Sequence, residues 1–182
     1  MVEAGSTEIG STELGSTEAG DDRSARERNA TGEVAPSLVW ARIEAAREAL
    51  ESWNDALEVY PRFRRVKSRV EHEHGTVSVA AAASAAALSE AGFSRSFHEL
   101  IGVAYRDWRR VSMVSRALAL VEDESRSMRQ VARDAGFGSV RSFQRAFLRV
   151  VGVSPRRHRK LLRAARRKPV SGARDPKFLS PD

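Results

Sequence analysis

The chain contains the same pattern twice. "LSEAGFSRSFHELIGV", from Leu88, and "GSVRSFQRAFLRVVGV", from Gly138, align at an offset of fifty residues. Ser89 meets Ser139, Phe93 meets Phe143, Arg95 meets Arg145, Phe97 meets Phe147, Gly102 meets Gly152 and Val103 meets Val153. Upstream of each serine the offset is one residue less, so that Val79 meets Met128, Ala82 meets Val131 and Ala83 meets Ala132. An internal repeat of this kind restricts the fold to two copies of one small unit, with a one-residue difference at the turn.

Each copy has the logic of a helix-turn-helix. A first helix offers small or apolar residues, Ala82 and Ala83 or Val131 and Ala132, against which a second can pack. The turn positions are Ala87 and Gly136, glycine being the cheaper residue where the backbone turns left-handed. A serine, Ser89 or Ser139, then caps the next helix and satisfies its orphan N–H groups. In that helix Phe93 with Phe97, or Phe143 with Phe147, stand four residues apart and face the core. Burying each ring stabilises by about 1.5–3 kcal/mol. The opposite face is left for Arg141, Ser142 and Arg145, or for Ser94 and Arg95, and an arginine there can fork onto guanine O6 and N7.

Charge agrees with an anionic partner for the repeated part. Residues 1–35 hold 3 Arg against 8 Asp or Glu, whereas residues 76–182 hold 21 Lys or Arg against 9 Asp or Glu. No acidic residue occurs between Asp134 and Asp175. Such asymmetry points to nucleic acid, the alternative being a solvated basic tail.

The chain is read in four segments. Residues 1–35 carry a pentad repeat with Glu3, Glu8, Glu13 and Glu18 in register; they are acidic, of low complexity and short of core-forming side chains, so disorder is expected. Residues 36–61 form an amphipathic helix, with Val39, Ile43, Ala46, Leu50, Trp53, Leu57 and Tyr60 on one stripe and Pro61 as its stop. That helix either docks on its own domain or forms a homodimer through residues 39–60. Residues 62–168 hold the repeat, and 169–182 read as a flexible tail. From Val77 onward no alternating β-branched run suggests a sheet, so an all-α fold is expected.

Other functions find little support. The absence of cysteine removes disulfides and thiolate metal sites. His72 and His74, two apart, point to different helix faces, so no metal is expected. No nucleophile–base set, phosphate loop or cofactor motif surrounds His98 or His158, so neither an enzyme nor a cofactor is expected. Both histidines read as helix-surface or DNA-proximal. The longest apolar run, Val77 to Leu88, is too short to span a bilayer, and no secretory signal is evident, so a cytoplasmic protein with no membrane role is expected.

The region from Phe63 to Leu162 resembles the DNA-binding domain of the AraC/XylS family of bacterial transcription regulators. Gly136-Phe137, then Phe143, Phe147, Gly152, Ser154-Pro155 and Arg159, follow the family's C-terminal spacing without a gap. The upstream half, Ser89 to Val103 followed by Trp108, fits as well. The resemblance implies seven helices, with two helix-turn-helix units joined by a long helix near Tyr105 to Val121. It implies that Val140, Arg141, Ser142 and Arg145 face bases in the second unit, and Ala91, Ser94 and Arg95 in the first. Ser89, Ser139, Arg156, Arg157 and Arg159 would meet the DNA backbone, although Arg159 could equally be a structural partner of the fold. Ala87 stands where the family has its turn glycine, Gly92 lies within the first recognition helix, Met113 replaces an arginine and His158 an aromatic.

The implied function is a sequence-specific regulator reading two adjacent major-groove segments of double-stranded DNA, with RNA polymerase as a further partner. The alternatives are a nonspecific nucleoid-type DNA binder and a protein-interaction module that contacts the transcription machinery. The short side chains of the first unit leave the second to dominate recognition.

Overall fold

The computed structural model describes residues 34–167; the C-terminal tail expected at 169–182 lies outside them, as does the acidic tail expected at 1–35 apart from its last two residues. Eight α-helices occur among the described residues: α1 Pro36–Val59, α2 Pro61–His72, α3 Val79–Ala85, α4 Glu90–Ile101, α5 Tyr105–Glu122, α6 Met128–Asp134, α7 Val140–Val151 and α8 Pro155–Arg167. The last seven form the two expected units. α3 and α4 are the helix-turn-helix of the first, α6 and α7 that of the second, and α5 connects them.

The boundaries follow from local chemistry. Ser78, Ser89, Ser127 and Ser139 cap α3, α4, α6 and α7, each side-chain oxygen accepting from the backbone N–H three residues on. At α6 the cap is reciprocal, because Gln130 Oε1 accepts from the Ser127 N–H at 2.8 Å. Gly102 and Gly152 end α4 and α7 in the left-handed conformation, where a side chain would be strained.

The turns of the two units are the same turn. The Leu88 N–H donates to Ala83 O at 3.0 Å, and the Phe137 N–H to Ala132 O at 2.8 Å. The residue before each donor has positive φ, 55° at Ala87 and 90° at Gly136. The additional residue of the second copy is Gly138, which comes after this shared turn and before the capping serine. Gly136 has a further reason to be glycine: a Cβ there would lie 1.6 Å from the carbonyl oxygen of His74. The turn of the second unit thus abuts the loop that precedes the first.

Two aromatic clusters fill the units. In the first, Phe63, Phe93, Phe97, Tyr105 and Trp108 stack with ring centroids 5.2–6.0 Å apart. In the second, the chain of contacts runs Phe137, Phe143, Phe147, His158, Trp40 at 5.4–5.6 Å. Phe93, Phe97, Phe143 and Phe147 are all fully buried, as core-facing i,i+4 pairs require.

α1 lies across both clusters. Its 24 residues reach about 36 Å. Near its start Trp40 packs edge-on against His158, and the Arg42 guanidinium donates to Arg149 O at 3.4 Å. Near its end Asn54 Oδ1 accepts from the Trp108 indole at 3.2 Å, and Leu57 joins the Phe63 cluster. Of the two readings of the apolar stripe, docking on the same chain is the one the packing displays: Val39 and Leu57 are 0% exposed without any second copy.

Candidate nucleic-acid interface

α7 is built to present one face. Phe143, Phe147 and Val151 hold it against the core, and Arg141, Gln144 and Arg145 project from the other side, all exposed. Ser142 and Val140 flank them half-buried. The Ser142 hydroxyl donates to Ser139 O at 2.8 Å, so it is turned partly toward the cap. In α4 the outward positions are Ala91, Ser94 and Arg95, again exposed. Gly92 lies within this helix as expected, in its first turn. Its N–H donates to Ser89 Oγ at 3.1 Å, and a Cβ there would crowd that oxygen.

Several arginines elsewhere in the fold are engaged by carboxylates. Arg126 pairs with Asp123 and Asp134, Arg110 with Asp107, Arg163 with Glu124 and Arg166 with Glu122. Arg95, Arg141, Arg145 and Arg156 have no carboxylate within ion-pair distance among the described residues. An exposed cation without a partner keeps its full charge for a ligand, and several on one face attract a polyanion. Between the units a cleft of about 460 Å³ is lined by Thr76, Arg106, Arg109, Arg110 and Ser142.

The residues assigned to the DNA backbone divide. Ser89 and Ser139 stand at helix N-termini, where backbone N–H groups favour a phosphate. Arg156 is exposed at the start of α8, and Arg157 beside it is half-buried. Arg159 is committed to the protein itself. Its Nε donates to Val121 O at 2.9 Å, and its Nη2 to Asp123 O at 3.1 Å and Arg126 O at 3.0 Å. The structural reading of Arg159 describes this geometry, with Nε and Nη2 holding carbonyls between the end of α5 and the start of α6.

His158 is a correction. Expected at the surface or near DNA, it is 2% exposed, between Trp40 and Phe147. Burial holds its pKa below the usual histidine value, opposed only by the field of Glu122. Its place in the repeat is that of Trp108, fifty residues earlier, which is equally buried. Gln144, not among the residues expected from sequence to face DNA, is exposed beside Arg141 and Arg145. Its position three residues after Arg141 was the available signal, since that spacing stays on one helix face.

These features define a double helix-turn-helix protein with one strongly basic recognition helix. Residues 82–161 match the family described as a helix-turn-helix domain. The chain is 32% identical to the DNA-binding domain of AdpA, a global transcriptional factor solved in complex with a target DNA, covering 60% of this chain and 98% of that one at a TM-score of 0.54. It shares its fold with an AraC-type DNA-binding regulator from Chromobacterium violaceum, at 23% identity and a TM-score of 0.50 over 60% of this chain and 95% of that one. It is 30% identical over 93 residues to LumQ of Photobacterium leiognathi, a probable transcriptional regulator, which is 51% of this chain but only 38% of that relative. The chain thus spans under two fifths of the length of that curated relative. It belongs to the AraC-type family of helix-turn-helix proteins. No helix among the described residues is long and apolar enough to cross a membrane.

Proposed function

We propose that this chain is a sequence-specific DNA-binding transcription regulator that lays α4 and α7 into two successive major-groove segments of double-stranded DNA. The carrying observation is the position of Arg141 and Arg145, exposed and unpaired on a helix whose other face is locked by Phe143 and Phe147. Arginines so placed can fork onto guanine edges. The likeness to a domain that was solved with its target DNA supports the same use here. Successive major grooves on one face of DNA lie about 34 Å apart. α5, with 18 residues and a length of about 27 Å, is of the right order to separate two recognition helices, with DNA bending making up a difference.

In this reading Val140, Arg141, Ser142, Gln144 and Arg145 read bases, while Ala91, Ser94 and Arg95 contribute a weaker readout because two of the three are short. Ser89, Ser139, Arg156 and Arg157 meet phosphates, and Arg159 acts indirectly by holding α8 to the end of α5. The function calls for no catalysis and no cofactor. Its protein partner at a promoter is RNA polymerase, and its compartment is the cytoplasm, where the bacterial genome lies. Self-association through residues 39–60 would require α1 to leave both units.

The test begins with selection of genomic fragments by the purified protein. Arg141→Ala and Arg145→Ala are then compared on a selected and an unrelated duplex by fluorescence anisotropy. Each should cost about 1–3 kcal/mol on the selected site and much less on the other. Equal losses on both duplexes would replace this reading with nonspecific, nucleoid-type binding.

A further inference from the structure

Leu148 is the one large aliphatic side chain of α7 that faces water, 51% exposed. The helix has no packing need for it there, since Phe143, Phe147 and Val151 already fill the buried face. It follows Arg145 by three residues and Gln144 by four, so it continues the same outward stripe by one turn. It also lies in a shallow concavity of about 270 Å³ with Gln144, Arg145, Ser154, Pro155 and Arg156. The apolar floor is thus rimmed by two unpaired arginines, in a stretch of chain without a carboxylate. A surface of that charge selects a polyanion. The major-groove edge of DNA carries one apolar group, the C5 methyl of thymine.

We propose that Leu148 reads the C5 methyl of a thymine next to the bases that Arg141 and Arg145 contact. The inference rests on the DNA-reading function proposed above. The first unit holds His98 at the equivalent place, so this leucine contact has no counterpart there.

The test uses the full chain and a duplex that it selects. Each thymine in the part covered by the second unit is replaced, one at a time, by deoxyuridine, which removes only the methyl. One replacement should weaken wild-type binding about fourfold, the value of one buried methyl group. Leu148→Ala should weaken binding to the thymine duplex by a similar factor and be indifferent to that replacement. Leu148→Met, which keeps an apolar tip, should retain the sensitivity and guards against a folding defect in the alanine variant. The proposal is overturned if the wild type ignores every replacement, or if Leu148→Ala keeps the full thymine preference. Arg145→Ala on the same duplex separates the two levels. If it weakens binding while Leu148→Ala does not, only the methyl readout fails. If the wild type selects no sequence at all, the regulator reading fails first.

Discussion

Arg159 donates from Nη2 to the carbonyl oxygen of Arg126, 3.0 Å away, the residue before the serine that caps α6. Arg109, fifty residues earlier, donates to the carbonyl of Val77, the residue before the serine that caps α3. The two arginines are therefore one device used twice. Each ties the last helix of its unit to the start of the first, which holds the intervening recognition helix in place. Arg159 also reaches Val121 O and Asp123 O, and a cation at these carbonyls complements the C-terminal end of α5.

Arg159→Ala should consequently lower stability by about 2–3 kcal/mol, the scale of hydrogen bonds from a charged donor. Urea unfolding followed by circular dichroism measures it. Arg156→Ala should leave the midpoint in place and instead reduce the slope of log affinity against log salt by about 1. An Arg159→Ala variant of unchanged midpoint would return that residue to the DNA backbone.

The turns predict opposite responses to exchanging alanine and glycine. Ala87, exposed at φ 55°, pays for a side chain in the left-handed region, so Ala87→Gly should stabilise by about 1 kcal/mol. Gly136→Ala adds a clash with His74 O to the same strain and should destabilise by more than about 2 kcal/mol. Thermal melts of both variants against the parent test the pair.

His158 makes stability depend on pH. Its folded pKa is depressed by burial, so below the ordinary value of 6.5 the unfolded chain takes up a proton that the folded chain resists. The contribution is complete above that pH and is lost as the pH falls below it, by at most about 1.4 kcal/mol per pH unit. Unfolding at pH 7.5 and 5.5 should show a smaller acid loss in His158→Phe than in the parent. Equal losses would assign the acid sensitivity elsewhere.

Leu57→Ala should cost about 2–5 kcal/mol, because the side chain is fully buried against the first unit. The cost should be independent of protein concentration. A midpoint that rose with concentration in the parent, and not in the variant, would show that α1 serves a seam between two copies.

Much of this was legible in the chain itself. The fifty-residue repeat announced two units, and the spacing of Phe143 with Phe147 fixed which face of α7 turns inward and thus that Arg141 and Arg145 turn outward. Serine caps and the glycine ends were readable for the same reason: they act on groups within a few residues. The partners of α1 were not. Its periodicity marked an apolar stripe, and a stripe does not say whether its own chain or a second copy covers it.

What the sequence by itself determined, then, is everything with a local cause: the helices, their caps, and the buried and exposed sides of each recognition helix. Tertiary structure alone decided that His158 is buried under Trp40, that Arg159 reaches three carbonyls between the end of α5 and the start of α6, and that Gly136 must let the backbone of His74 approach. Each depends on an atom that lies far away along the chain and close in space, and one residue's chemistry cannot name the neighbour that packing will supply.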